Sequence, residues 1–159
     1  MAKRYWLLKT EPSVFSFDDL RKCPDQTTGW EGVRNYQARN LLRDEVRQGE
    51  GILFYHSNAD PPAVVGLAKV AREAYPDPFQ FDRKSRYHDP KADPANPPWL
   101  TIDVQYDRPL PKPVSLPALR AETSLAAMAL LRKGNRLSVQ PVTADEWKTI
   151  LKLGGVSLR

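Results

Sequence analysis

The sequence predicts an α+β fold, a small mixed β-barrel of five or six strands with helices packed around its outside. Five short segments are rich in aromatic and β-branched residues and are bounded by Gly, Pro, Asn or Asp, as strands are. Helix-start signals fall between them without the regular βαβ alternation of a doubly wound parallel sheet. One hydrophobic core is enough to stabilise a chain of 159 residues, so we expect a single domain spanning residues 1–159.

Two of the five predicted strands form a hairpin. Residues 58–62 connect the second strand to the third and end in two consecutive prolines, which fix φ and cannot donate to a strand ladder. We therefore expect these two strands to pair directly. The predicted strands are residues 5–9, 52–57, 63–72, 99–106 and 137–142.

Capping residues predict four helices. In two of them a Ser or Thr is followed three residues later by Asp or Glu, the spacing of a capping box. A third helix starts at an Asn and carries an apolar stripe, and the fourth is closed by a glycine. The capping residues are Ser16 with Asp19, Asn35, Ser124 with Gly134 at the other end, and Thr143 with Glu146.

Residues 75–98 are the least regular part of the sequence. They contain six prolines, and an irregular segment of this length in a compact domain is usually functional or disordered. Their aromatic residues can pack, which favours an ordered Pro-rich arm over a free linker. At the other end of the chain, Gly154 and Gly155 end the last helix, and we expect a short loose C-terminal tail after them.

Composition narrows the function classes. Twenty-four Lys and Arg against nineteen Asp and Glu give a net charge of +5, and 41% hydrophobic with 27% charged residues is typical of a globular protein. The apolar runs are far shorter than the roughly 20 residues of a membrane span, and the signal-peptide pattern is missing, so we expect a cytoplasmic protein. The single Cys23 and the separated His56 and His88 predict neither an intramolecular disulfide nor a metal site.

Familiar catalytic motifs are missing from the sequence. It contains no Gly-x-Ser-x-Gly elbow, no HExxH and no phosphate-binding Gly-rich loop. The adjacent Asp18 and Asp19 fall in the first turn of a capped helix, where acidic residues complement the helix dipole. The sequence therefore favours a binding protein over an enzyme.

Aromatic, amide and charged residues are concentrated in a few short motifs. These motifs are separate from one another and follow in order along almost the whole chain. They are YWLLKTEP at 5–12, GWEGVRNYQARN at 29–40, FYHSN at 54–58, AYPDP at 74–78, GNRLSV at 134–139 and LSVQPVTADEW at 137–147.

In these motifs the sequence resembles the EVE domain, a member of the PUA-like superfamily that is related to the YTH domains. The resemblance implies a PUA-like β-barrel with flanking helices, no cofactor and no established catalytic activity. It also implies a concave site that accepts a chemically modified nucleobase.

Trp30 and the end of the first strand are the first candidates for that site. Trp30 lies between two glycines, where an indole can offer a stacking face to a base, or can be a core or lid residue. The resemblance favours the pocket, because YTH domains have a cage Trp at the matching place. Lys9, Thr10 and Glu11 end a strand that Pro12 stops, so their polar groups can meet in a cavity or form a solvated strand end.

The end of the second strand and two flanking residues complete the candidate pocket. Of Tyr55, His56 and Ser57, only some can face one side because side chains alternate, and we favour His56 and Ser57. His56 is equally compatible with a core position. The Asn35 amide can read a base edge, although capping the following helix is the favoured interpretation. Trp99 follows the Pro-rich arm and is either a core residue or a second wall of the pocket.

Five basic residues are candidates for a rim that contacts phosphates while the pocket reads the base. Each of them alone is also compatible with a solvated surface position. They are Arg34, Arg39, Arg132, Lys133 and Arg136.

The sequence thus predicts a non-catalytic reader of nucleic acid, in which a methylated or oxidised cytosine, or a modified RNA base, is flipped out of its stack into an aromatic pocket. Two alternatives remain open. One is an enzyme acting on a modified nucleotide, with His56 and Glu11 as acid and base. The other is a binding site for a free small metabolite.

Overall fold

Six β-strands form one mixed sheet in the computed structural model, which describes residues 3–157. The strands are β1 (Tyr5–Thr10), β2 (Thr27–Gly29), β3 (Gly51–His56), β4 (Ala63–Pro76), β5 (Leu100–Ser115) and β6 (Val139–Val142). They lie in the order β2-β5-β4-β3-β1-β6. Every neighbouring pair is antiparallel except β1 and β3, which are parallel.

The predicted α+β class, a sheet of five or six strands with flanking helices, is confirmed. The sheet is not closed into a complete barrel, because β2 and β6 stand at its two ends and do not pair with each other within residues 3–157. These end strands have only three and four residues, so each offers few backbone groups for a closing ladder. No helix in this part of the chain is long and apolar enough to cross a membrane.

The five predicted strands and the hairpin between β3 and β4 are confirmed. β2 is too short to carry an alternation pattern and was not predicted. β5 extends well beyond the predicted end at residue 106, although it contains prolines at positions 109, 111 and 113. The first residue of β2, Thr27, lies opposite Gln105, and β2 extends no farther along β5. Within residues 3–157, the second half of β5 therefore pairs only with β4, and its other edge is open. Prolines, which lack an N–H, can be accommodated along that open edge.

The helices are α1 (Phe17–Lys22), α2 (Tyr36–Asp44), α3 (Leu116–Ala121) and α4 (Ala144–Leu153). The predicted capping boxes of α1 and α4 and the Asn35 cap of α2 are confirmed. The helix predicted to start at Ser124 is wrong. Two 3-10 turns, Thr123–Leu125 and Ala129–Leu131, occupy that segment, because Met128 between them has extended backbone angles and is buried with neighbouring leucines in an irregular spacing.

Apolar side chains form two buried cores, one on each face of the sheet. Along β1, Trp6 and Leu8 belong to the first core, which α1 and α2 cover, whereas Leu7 belongs to the second. The second core lies under α3 and α4, which bury Leu119 and Ile150. The parallel pair of β1 and β3 is therefore buried on both faces, as parallel strands usually are.

The Pro-rich arm, residues 75–98, is fastened to the rest of the molecule by buried polar groups. The fully buried Asp77 carboxylate accepts from the Phe79 N–H at 2.8 Å and from the Gly32 N–H and the Arg34 guanidinium at 2.9 Å each. Arg34 also donates to the Tyr87 carbonyl oxygen at 2.7 Å. These bonds hold the arm against the loop after β2.

The predicted loose tail extends into residues 158–159, which lie outside the described residues. Before that point, the Val156 N–H donates to the Leu151 carbonyl oxygen at 2.9 Å, and Val156 packs against the second core.

His56, at the end of β3, connects the sheet to the start of α1. The Phe17 N–H donates to His56 Nε2 at 3.0 Å, so this nitrogen must be unprotonated. Burial lowers the pKa of His56 below its ordinary value of 6.5, and the charge of Asp19 opposes that change only in part.

We expect the free energy of unfolding to fall between pH 7.5 and 5.5, because folding favours the neutral form of His56. That stabilisation is complete above the unfolded pKa and is lost as the pH falls through it toward the lower folded pKa. In His56→Gln this pH dependence should be weaker, by about 1 kcal/mol, the net value of one hydrogen bond. Urea unfolding at the two pH values measures it. His88→Gln is the control, and an equal flattening in both variants would contradict the prediction.

Asp77→Ala should lower the free energy of unfolding by about 3 kcal/mol, because it leaves the mostly buried Arg34 guanidinium and two backbone N–H groups, those of Gly32 and Phe79, without their acceptor. Asp82→Ala is the matched control on the same arm, since the exposed Asp82 side chain accepts only from the Lys84 N–H. Chemical denaturation compares the two variants. Equal, small losses would show that the Asp77 contacts do not stabilise the arm.

Candidate functional site

A cleft of about 440 Å³ opens beyond the carboxyl end of β1, between the loop after β2 and the Pro-rich arm. Both faces of a strand are accessible at its end, so adjacent residues of β1 reach the same space. The residues that line the cleft are Lys9, Thr10, Glu11, Val14, Phe15, Thr28, Gly29, Trp30, Glu31, Gly32, Val33, Arg86, Tyr87 and Ser138.

Trp30 is held rigidly in the wall of the cleft. Its ring meets Phe15 and Phe54 edge to face, with centroids 6.2 and 5.5 Å away, and only 7% of the residue is exposed. Its backbone N–H donates to the Ile102 carbonyl oxygen at 2.8 Å. Its indole N–H has no hydrogen-bond acceptor among residues 3–157, unlike that of Trp6, which donates to a buried glutamate. The Trp30 indole can therefore donate to a molecule in the cleft.

Tyr87 brings the arm into the lining of the cleft, next to the loop that carries Trp30. Gly32 makes this approach possible, because its φ of +87° is left-handed and a Cβ there would lie 2.5 Å from the Tyr87 ring. The Gly32 N–H and the Arg34 guanidinium are the same donors that Asp77 binds. The contacts that fasten the arm thus also position the second aromatic wall.

A tight turn after β1 places Phe15 against the cleft. The Glu11 carbonyl oxygen accepts from the N–H groups of Val14 and Phe15 at 2.9 Å each. The Thr10 hydroxyl donates to the Phe15 carbonyl oxygen at 2.9 Å. Pro12 stops the strand and starts this turn.

Burial shifts the titration of two charged groups in the cleft in opposite directions. It lowers the pKa of Lys9 and raises the pKa of Glu31, and the charges of Asp77 and Asp103 raise the latter further. Each shift favours the neutral form.

Four of the predicted pocket residues lie together in the cleft: Lys9, Thr10, Glu11 and Trp30. Their convergence follows from the strand end and the neighbouring loop. Their role toward a ligand stays a prediction.

The other five predicted pocket residues lie outside the cleft. Tyr55 points to the opposite face of the sheet, where it is buried in the second core, and His56 is bonded to α1. Ser57 continues the pairing with β1 through its N–H, and Asn35 caps α2. Trp99 donates from Nε1 to an aspartate of the arm at 2.7 Å and stacks on an exposed tyrosine of α2.

The five predicted rim residues divide into two groups. Arg34 is occupied by Asp77 and by backbone carbonyl groups, and Arg39 donates to the Pro98 carbonyl oxygen and lies over an aromatic ring. Neither of them lines the cleft or the second groove. The other three line a second groove of about 590 Å³ between α2 and the segment before β6: Arg132, Lys133 and Arg136.

Several residues of the cleft were not predicted. Glu31 lies within the motif GWEGV, next to Trp30, and was the easiest to find from sequence. Tyr87 and Arg86 lie far along the chain in the irregular arm, where no local pattern indicates them. Among residues 3–157, no group of three or more His, Cys, Asp or Glu side chains is placed to hold a metal ion.

The model of the EVE domain family matches residues 4–153. Human thymocyte nuclear protein 1 is 40% identical over 166 residues, which cover 94% of this chain and 73% of that protein. The predicted resemblance is therefore confirmed.

Solved structures show the same fold. A hypothetical protein from Leishmania major has a TM-score of 0.91 at 45% identity, covering 97% of this chain and 96% of that one. The human protein in complex with DNA containing 5-methylcytosine has a TM-score of 0.90 at 39% identity, covering 98% of this chain and all of that one. The YTH domain of a Zygosaccharomyces rouxii protein is more distant, with a TM-score of 0.56 at 20% identity, covering 98% and 89% of the two chains, and shares the fold alone. The chain belongs to the EVE domain family.

Proposed function

We propose that this protein is a non-catalytic reader that holds a modified cytosine of DNA, flipped out of its stack, in the cleft beside Trp30. The observation that carries the proposal is the cleft itself, which combines the aromatic side chains of Trp30 and Tyr87 with a few partly buried hydrogen-bonding groups. An uncharged planar base needs such an environment, whereas a free phosphate or a metal ion needs a strong charge.

The human relative supports cytosine in DNA as the first ligand to test. It was solved in complex with DNA containing 5-methylcytosine, and it matches this chain from end to end. A modified base in RNA is the second ligand that the same cleft would accept.

Several contacts together must offset the cost of flipping a base out of its stack. Extrusion costs a few kcal/mol, and stacking on an aromatic side chain contributes about 1 to 3 kcal/mol. Burial of one methyl group adds about 0.8 kcal/mol. Hydrogen bonds to the base edge, from Lys9 or the Trp30 indole N–H, must contribute the remainder.

The basic groove supplies the phosphate contacts in this proposal. Leu137 lines the groove and Ser138 lines the cleft, so the two are adjacent along the segment before β6. The side chains of Arg132, Lys133 and Arg136 are exposed there and form no ion pair within the described residues. A DNA strand whose flipped base enters the cleft can pass its phosphate backbone over this groove.

The wild-type protein should bind an oligonucleotide with one 5-methylcytosine at least about tenfold more tightly than the unmodified strand, because a shaped apolar pocket discriminates one methyl group by about that factor or more. Fluorescence anisotropy at fixed salt measures both affinities, and mass spectrometry of the recovered DNA should show no new product. Equal affinities across a panel of modified bases would contradict the reader. A new mass would indicate an enzyme, and competition by free nucleoside without a salt effect would indicate a metabolite site.

Trp30→Ala should abolish the preference for the modified base by removing the aromatic wall. Since Trp30 also packs in the first core, circular dichroism must show that the variant folds. Tyr87→Ala is the second variant, and it should weaken binding about tenfold through the loss of the second aromatic side chain of the cleft. Phe79→Ala, an exposed aromatic residue elsewhere on the arm, is its control. Normal binding by Tyr87→Ala, or by a folded Trp30→Ala, would overturn the placement of the site.

Arg136→Ala should weaken binding to modified and unmodified strands equally and reduce the slope of log affinity against log salt by about one, as the loss of one phosphate contact does. Arg108→Ala, an exposed arginine on β5 that lines neither the cleft nor the groove, should leave the slope unchanged. A loss of base preference in Arg136→Ala would instead place Arg136 at the base.

A further inference from the structure

Glu31 is the half-buried acid of the cleft, and its carboxylate has no positive partner. It forms no ion pair with any residue in the described range 3–157. Burial raises the pKa of Glu31, and the nearby carboxylates of Asp77 and Asp103 add to that effect. A carboxylate in these surroundings is unfavourable unless a donor meets it.

The neighbours of Glu31 leave its acceptor capacity largely unused. A Cβ at position 29 would lie 2.6 Å from Glu31 Oε1 and 3.0 Å from the Tyr75 hydroxyl oxygen, so Gly29 allows the carboxylate to fold over the backbone. The Tyr75 hydroxyl donates its single proton to Asp103 Oδ1, and it therefore has none to offer Glu31. The backbone N–H of Glu31 itself opposes the rise in the pKa of the carboxyl group only in part.

The second acid of the cleft, Glu11, is in a different situation. Its side chain is exposed, and its Oε1 lies 3.5 Å from the amide nitrogen of Asn58. Water can solvate it whether or not a ligand is present. Of the two acids, Glu31 is thus the one that gains most from a donor on the ligand.

We propose that Glu31 accepts a hydrogen bond from the exocyclic amino group of the bound base and so selects 5-methylcytosine over thymine, its deaminated counterpart. This inference rests on the proposed function. Glutamate commonly accepts from the cytosine amino group in nucleic-acid recognition.

Only the base edge can distinguish these two ligands. Both are pyrimidines with a methyl group at the same position, so stacking on Trp30 and burial of the methyl group are nearly equal for both. They differ at position 4, which carries an amino donor in 5-methylcytosine and a carbonyl acceptor in thymine, and at N3, which is an acceptor in 5-methylcytosine and an N–H donor in thymine. A carboxylate opposite the carbonyl places two acceptors face to face in a partly desolvated site, which is unfavourable. The carboxylate therefore favours the amino-bearing base.

The test compares 5-methylcytosine and thymine at one position of the same duplex, each opposite an abasic site, so that neither base loses a pairing partner on extrusion. Wild-type protein should bind the 5-methylcytosine duplex about tenfold or more tightly than the thymine duplex. In Glu31→Gln this ratio should approach one, because the amide presents either an acceptor or a donor to the base. Glu73→Gln, at an exposed glutamate of β4 that lines neither the cleft nor the basic groove, is the matched control and should keep the wild-type ratio.

An unmodified cytosine duplex separates the two levels of the proposal. Wild-type protein that prefers 5-methylcytosine to cytosine but binds thymine equally well would overturn the role of Glu31 and leave the reader intact. Retention of the wild-type ratio in Glu31→Gln would also overturn it. Wild-type protein that binds all three duplexes equally would contradict the proposed function and this inference together.

Discussion

The fully buried carboxylate of Asp77 connects two segments that are distant in sequence. It accepts from the first turn of the arm, from the Gly32 N–H and from the Arg34 guanidinium. A buried carboxylate is tolerated only where several hydrogen-bond donors satisfy it. Separation of these partners would leave the buried charge of Asp77 without donors, which is strongly unfavourable. The loop that carries Trp30 and the arm that carries Tyr87 are therefore fixed relative to each other, and the cleft is formed in the unliganded chain.

The position of the cleft follows from the central strands. The parallel pair of β1 and β3 is covered on both faces by the two cores, which bury its middle residues, 6–8 and 52–55. Polar side chains of β1 reach an open space only where the ladder stops, before Pro12. A binding site on this fold thus lies at the end of the strands, where neighbouring loops supply its walls.

The cleft and the neighbouring groove differ in how far their charged groups are removed from water. Inside the cleft, partial burial lowers the pKa of Lys9 and raises the pKa of Glu31, and each shift favours the neutral form. In the neighbouring groove, Arg132 and Lys133 are exposed and keep the full attraction of their charges for an anion. A nucleotide has the matching division, since its base is uncharged and its phosphate is negative.

The sequence by itself determined the elements whose signals are local. The capping residues of α1, α2 and α4 bond to N–H groups a few positions away, and the β3–β4 hairpin follows from its proline-rich connection, so neither depends on distant contacts. The motifs likewise placed Trp30 and the end of β1 in one site. Local signals failed where burial decided the conformation, as in the turns around Met128.

Only the tertiary structure decided which side chains share the cleft. Tyr55 and His56 end β3 just as Lys9 and Thr10 end β1, yet Tyr55 is turned into the second core and His56 is bonded to α1. The reverse holds for Tyr87, which reaches the cleft from the middle of an irregular arm. The physical reason is that a side chain's surroundings depend on which distant segments pack against its strand or loop, and no pattern within a short stretch of sequence specifies that packing.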